Sequence, residues 1–144
     1  MQKGISMLKK SNKLTEDAKR IRQEVFVEEQ GFLEEFDEID SRATHLVFYE
    51  EGIPAAVCRY YKGEKPGQYM LGRLAIRKPF RGKQLGKYMV EAAEREIKKE
   101  RAESICLSAQ IRVQLFYEKC GFHAVGEMYF DEDCPHICMV KELK

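Results

Sequence analysis

The chain has no apolar run approaching the length of a membrane-spanning helix, and its first residues lack the apolar stretch of a secretory leader. Its five cysteines, an odd number, contain no C-x-x-C pair, which points to reduced thiols and a cytoplasmic setting. An excess of charge of one sign is missing as well. The net charge of +1 removes bulk electrostatics as a basis for binding nucleic acid. There is no repeat and no low-complexity segment. Hydrophobic residues at 44% and charged residues at 34% exclude a disordered or membrane-embedded chain. A single soluble domain over residues 1–144, with a sizeable core, is expected.

What is present is organised around residues 69–99. Tyr69–Ile76 is apolar at nearly every position, as a buried strand is. Pro79 cannot continue a ladder and ends that strand's run. Arg81-Gly82-Lys83-Gln84-Leu85-Gly86 follows, and then Leu85, Met89, Ala92, Ala93 and Ile97 recur at helical spacing. The first N–H groups of such a helix have no internal acceptor, and its dipole favours an anion there. Arg73, Arg77, Lys78, Arg81, Lys83 and Lys87 add six cations without an acid between them. A phosphate site or a helix start with solvated charges both fit. The loop is neither G-x-G-x-x-G nor a P-loop.

Elsewhere, residues 4–10 can form a first strand, and Thr15 a helix cap with Glu16 and Asp17 in the first turn. That helix, with Ala18, Ile21 and Val25 buried, ends before Gly31. Phe32–Ser41 reads as a loop or broken second helix. Strands are expected at Thr44–Tyr49 and Ile53–Tyr61, joined as a hairpin through Glu50-Glu51-Gly52. Ser104–Ala109 reads as a strand and Val113–Cys120 as a short helix stopped by Gly121. His123–Phe130 and His136–Lys141 are two closing strands, and the strands after Gly121 offer an edge on which a homodimer could form. The crossover from the Tyr69 strand to the Ser104 strand should be a right-handed βαβ unit with parallel strands.

Three segments carry a resemblance. Leu74-Ala75-Ile76 with Arg81-Gly82-Lys83-Gln84-Leu85-Gly86 resembles the acetyl-CoA pyrophosphate loop of the GNAT superfamily of N-acetyltransferases, [QR]-x-x-G-x-[GA], with Gln84 where glycine is usual. Leu107-Ser108-Ala109-Gln110 and Phe116-Tyr117-Glu118-Lys119-Cys120-Gly121-Phe122 are similar to a second segment of that superfamily, whose tyrosine is often the general acid. Residues 25–30, 35–40 and 43–45, with Pro135-His136-Ile137, resemble its small ElaA-like bacterial branch.

The resemblance implies an α/β (α+β) fold: a mixed, mostly antiparallel sheet with a central splayed parallel strand pair and helices on both faces. It implies acetyl-CoA as co-substrate and transfer of its acetyl group to a primary amine by direct attack. The acceptor would be a small molecule or a peptide amine. The cofactor-binding residues it implies are Leu74, Ala75, Ile76, Arg81, Gly82, Lys83, Gln84, Leu85, Gly86 and Lys87. Two rival readings are a non-catalytic CoA-binding module and a nucleic-acid or partner-binding domain, the latter disfavoured by the charge balance.

Direct attack needs a proton acceptor for the amine and a donor for the thiolate. Tyr117 is the donor candidate, though an aromatic packing the helix on the sheet is the plainer reading. Residues 28–40 hold seven acids and no cation, either a solvated acidic loop or a rim attracting a cationic amine opposite the basic loop. Within and beside that run, Glu29, Asp40 and His45 are the acid–base candidates. Cys134, His136 and Cys138 alternate along a strand, but Pro135 and the lack of a fourth ligand argue against a metal. His136 instead shapes the acceptor pocket or packs.

Overall fold

The computed structural model describes residues 5–33 and 35–143. Gly4, where the first strand was expected to start, and Glu34 of the acidic run lie outside the described residues. Seven strands, β1 (Met7–Ser11), β2 (Thr44–Glu50), β3 (Ile53–Lys62), β4 (Gln68–Ile76), β5 (Ser104–Gln110), β6 (His123–Asp131) and β7 (Cys134–Glu142), form one sheet. Their order is β1-β2-β3-β4-β5-β7-β6. Every neighbouring pair is antiparallel except β4 with β5. Three α-helices are α1 (Glu16–Arg22), α2 (Leu85–Lys98) and α3 (Gln114–Lys119). Among the described residues, no helix is long and apolar enough to cross a membrane.

Local chemistry explains the elements. Thr15 Oγ1 accepts the Ala18 N–H at 3.2 Å and starts α1. The helix then widens into a π-helical segment, Gln23–Glu29, where the Gln30 N–H reaches back five residues to the Val25 carbonyl at 3.1 Å. The β2–β3 hairpin turns through Glu51 and Gly52, both at positive φ, as a two-residue turn matched to the strand twist requires. Pro135, the second residue of β7, lies one residue before the ladder with β5, whose last pair is Gln110 with His136. Its missing N–H therefore costs nothing on that side, and β7 extends two residues earlier than its apolar pattern suggests.

The sheet is covered on both faces. Ala18, Ile21 and Val25 of α1 pack against Val47, Val57 and Ala75. Met89, Val90, Ala93 and Ile97 of α2 pack on the other face against Leu46, Cys58, Tyr60, Leu71, Ile105 and Leu107. Each large apolar side chain so buried stabilises the fold by roughly 1.5–3 kcal/mol.

β4 is where the sheet is broken. Gly72 pairs with Arg59 and Ala75 with Val57, so β4 carries one more residue than β3 across this stretch. The extra residue is a bulge centred on Arg73, whose φ is 51°. The parallel ladder with β5 stops at Met70 with Cys106, and past it the two strands part. The bulge is pinned by Arg73, whose guanidinium meets the Glu35 carboxylate at 2.9 Å and the Glu35 carbonyl at 3.0 Å.

Candidate active site

The parting of β4 and β5 opens a cleft at the carboxyl ends of both strands. One part, about 290 Å³, lies among Leu71–Leu74, Ile76, Leu107–Gln110, Phe116 and Tyr117, with Phe26, Gln30, Phe32 and His136 beyond. A second part, about 440 Å³, is bounded by Ile76, Phe80–Gly82, Gln84–Lys87, Phe116, Lys119 and Cys120. Ile76, Gly86 and Phe116 line both, so the two parts adjoin there.

Backbone direction along β4 follows from one contact. The Arg77 N–H donates to the Ala55 carbonyl at 2.9 Å, so alternation turns the Ala75 backbone toward Val57 on β3. The N–H and carbonyl of Leu74 and Ile76 then face the gap. Of the three residues expected to bond a cofactor arm through their backbone, Leu74 and the N–H of Ile76 are open to it, while the Ile76 carbonyl accepts Arg81 Nε–H. Ala75 is not, because its hydrogen bonds serve the β3 ladder.

The loop after β4 forms the start of α2 as expected. No side chain caps α2, so its first N–H groups are free for a ligand in the second cavity. A Cβ on Gly86 would lie 3.1 Å from Phe116 Cζ, so glycine is what keeps the cleft open there. Gln84, in the place where glycine is usual, has φ 62° and ψ 25°. An ordinary residue in this left-handed region costs about 1–2 kcal/mol. Gln84→Gly should therefore raise stability by about 1 kcal/mol or less, the relief being partly offset by about 0.5–1 kcal/mol of unfolded-chain entropy. A rise of a few degrees in thermal midpoint is the expected readout.

The basic stretch and the acidic run are joined to each other rather than set on opposing rims. Arg81 makes a bidentate pair with Glu29, at 2.7 and 2.8 Å, and donates Nε–H to the Ile76 carbonyl at 2.8 Å. The Arg81 guanidinium holds the Glu29 carboxyl below its usual value. Arg77 pairs with Glu24 at 3.0 Å and Lys83 with Glu50 at 2.8 Å. Arg81, Gly82, Gln84, Leu85, Gly86 and Lys87 line the second cavity. Lys83 does not; its ammonium lies over the Phe80 ring.

Asp40 and His45 stand outside the cleft. Asp40 is buried and receives Arg22 at 2.7 and 3.1 Å and Arg59 at 2.7 Å. Despite its burial, these guanidiniums hold its carboxyl at about 2. His45, only 1% exposed, has its Nε2 3.0 Å from the Asp40 carbonyl, and burial pushes its pKa down. Glu35 and Asp37 complete the cluster with Arg22, Arg59 and Arg73. Three carboxylates and three guanidiniums thus tie residues 35–40 to α1, β3 and the bulge. Glu29, Asp40 and His45 line neither cavity.

Tyr117 does line the cleft, with its ring edge-on to Phe116 at 4.9 Å and Phe122 at 5.9 Å. Burial raises its phenol pKa, so it keeps its proton. One feature was missed in the sequence. The Gln110 amide donates to the Gln30 side chain at 2.9 Å, bridging β5 to the end of the π-helical segment across the cleft. His136 closes the far end of the cleft beside Phe32. Its alternation with Cys134 and Cys138 had singled it out; nothing in the sequence marked the glutamines.

Comparison with known proteins agrees with this geometry. The acetyltransferase (GNAT) domain model matches residues 11–143. The uncharacterized N-acetyltransferase YjcF of Bacillus subtilis is 31% identical over 140 residues, covering 95% of this chain and 99% of that protein. Escherichia coli ElaA superimposes with a TM-score of 0.83 at 23% identity, over 96% of this chain and 100% of that one. A Bacillus subtilis acetyltransferase solved in complex with CoA has the same fold, with a TM-score of 0.75 at 17% identity over 97% of this chain and 100% of that one. The sheet, its splayed strand pair and the loop before α2 define an acyl-CoA-dependent acetyltransferase fold. The chain belongs to the GNAT acetyltransferase family. The uncapped α2 start and the open space at Gly86 fit a pyrophosphate group such as that of CoA.

Proposed function

We propose that the protein moves an acetyl group from the acetyl-CoA thioester to a primary amine by direct attack in a ternary complex. The observation that carries this reading is the opening of the sheet beyond Met70. It sets the free N–H groups of α2, the gap-facing backbone of Leu74 and N–H of Ile76, and the Tyr117 phenol along one cleft. The α2 start holds pyrophosphate, and the Leu74 backbone and Ile76 N–H orient the pantetheine arm. The Ile76 N–H stabilises charge growing on the thioester oxygen. As the new C–N bond forms the nitrogen sheds a proton. As the C–S bond breaks, Tyr117 donates its proton to sulfur, leaving an amide and a thiol. The acceptor, a small amine or a peptide terminus, enters past Phe32 and Asp131.

Tyr117→Phe should lower kcat for acetyl transfer to ethylamine or tyramine by about a hundredfold or more, while acetyl-CoA still raises the thermal midpoint. An unchanged kcat would remove Tyr117 from the chemistry. A wild type that binds acetyl-CoA but consumes it with neither amine would favour a non-catalytic CoA-binding module instead.

A further inference from the structure

Building on that transferase reading, we propose that His136 is the group that takes the proton from the attacking amine. The imidazole sits on β7 at the last rung of the β5 ladder, opposite Gln110, where the cleft between β4 and β5 ends. It is 6% exposed and held on three sides. The Tyr129 ring stacks on it at 6.0 Å, and the Phe32 ring meets it edge-on at 6.3 Å. Its Nδ1 lies 2.8 Å from the Cys134 carbonyl. A carbonyl only accepts, so Nδ1 carries the hydrogen and the neutral ring presents its lone pair at Nε2. Among the described residues Nε2 has no hydrogen-bond partner, and the cleft is the space left to it. This is the arrangement of a positioned base: one nitrogen fixed by the backbone, the other open to substrate.

The acid–base candidates drawn from the sequence are committed elsewhere. Glu29 is closed by Arg81, and Asp40 by Arg22 and Arg59. The Glu35 carboxylate, which does line the cleft, is held by Arg22 and Arg73. Tyr129, beside His136, hydrogen-bonds Ser108, so the aromatic wall around the imidazole is itself anchored to β5.

The protons balance as follows. An alkylammonium entering the cleft gives one proton to His136 Nε2, which passes it to water. The free amine attacks the thioester carbon and loses its second proton to water as the intermediate collapses, while the thiolate takes the Tyr117 proton and the tyrosine recovers one from solvent.

The test separates amines that need a base from one that does not. Ethylamine is protonated at pH 7.5, whereas hydroxylamine is largely a free nucleophile there. His136→Asn keeps an N–H near the Nδ1 position for the Cys134 carbonyl and places nothing at Nε2. It should lose about a hundredfold or more in kcat with ethylamine and less than about tenfold with hydroxylamine. Its acetyl-CoA-induced thermal shift should match wild type. Should His136→Asn fail to fold, the His136 tautomer of the wild type, read from ring ¹⁵N shifts, decides: Nδ1–H supports the assignment and Nε2–H overturns it. Equal losses with the two nucleophiles, or no loss, would overturn the role of His136 alone. A wild type that consumes acetyl-CoA with neither nucleophile would overturn the transferase reading and this inference together.

Discussion

Replacing Arg22 with methionine is expected to lower stability by about 3–5 kcal/mol, the cost of removing one partner from a buried ion pair. Arg22 is 0% exposed and donates four hydrogen bonds, to both Asp40 oxygens, the Glu35 carboxylate and the Glu35 carbonyl. Methionine fills much of the volume but leaves two carboxylates short of donors in a site from which water is excluded. Urea unfolding at pH 7 is the measurement. A loss below about 1 kcal/mol would mean that the cluster relaxes onto Arg59 and Arg73 and that Arg22 is dispensable.

The same cluster makes the fold sensitive to acid. Asp40, ordinarily near 3.8, is held at about 2, so its ionised form favours the folded state. That contribution, about 2 kcal/mol, is complete above the unfolded value and is lost as pH falls from about 4 toward 2. Asp37 is lowered in the same sense. Glu35 runs the other way: burial raises its pKa, so its ionisation opposes folding as pH rises. The observed acid loss should therefore be smaller than the two aspartates alone would give, and smaller still in Arg22→Met.

How much of this was legible depended on how local the cause was. Strands such as Thr44–Glu50 came out within a residue or two, because a strand covered on both faces carries a short continuous apolar run, here Leu46–Tyr49, bounded by turn residues. The α2 start was legible because glycine, basic residues and helical spacing lie together within a few positions. The bulge was not. Its left-handed residue is Arg73, not the neighbouring Gly72, and Arg73 is held there by Glu35, thirty-eight residues away in sequence. The acidic run misled for the same reason. Seven acids with no cation among them look solvated, but Glu35, Asp37 and Asp40 are paired by arginines from α1, β3 and β4, where each reads as an ordinary strand or helix residue. Tyr117, singled out through a motif, does line the cleft. Asp40 and His45 were chosen by residue type alone, and type does not reveal whether a carboxylate is already spoken for.

Gly86→Glu is the substitution that tests the cleft as a whole. At saturation of about a hundred times the dissociation constant, acetyl-CoA should stabilise the wild type by about 2.7 kcal/mol, a rise of roughly 5–10 °C for a domain of this size. In the variant that rise should vanish. Two effects act together at one position. The new side chain starts 3.1 Å from the Phe116 ring, where the two cavities adjoin, and so narrows the passage for the pantetheine arm. Its carboxylate also lies beside the free N–H groups of α2, satisfying them and repelling phosphate. The helix itself gains from an acid in its first turn, so loss of binding need not come with loss of fold, and the unliganded thermal midpoint checks this directly. Gly86→Ala separates the two causes. It adds the Cβ without the charge, and Phe116 must yield only a few tenths of an ångström, so a partial shift should survive. Full acetyl-CoA stabilisation of Gly86→Glu would mean that pyrophosphate is held elsewhere, and the start of α2 would then be only a helix start.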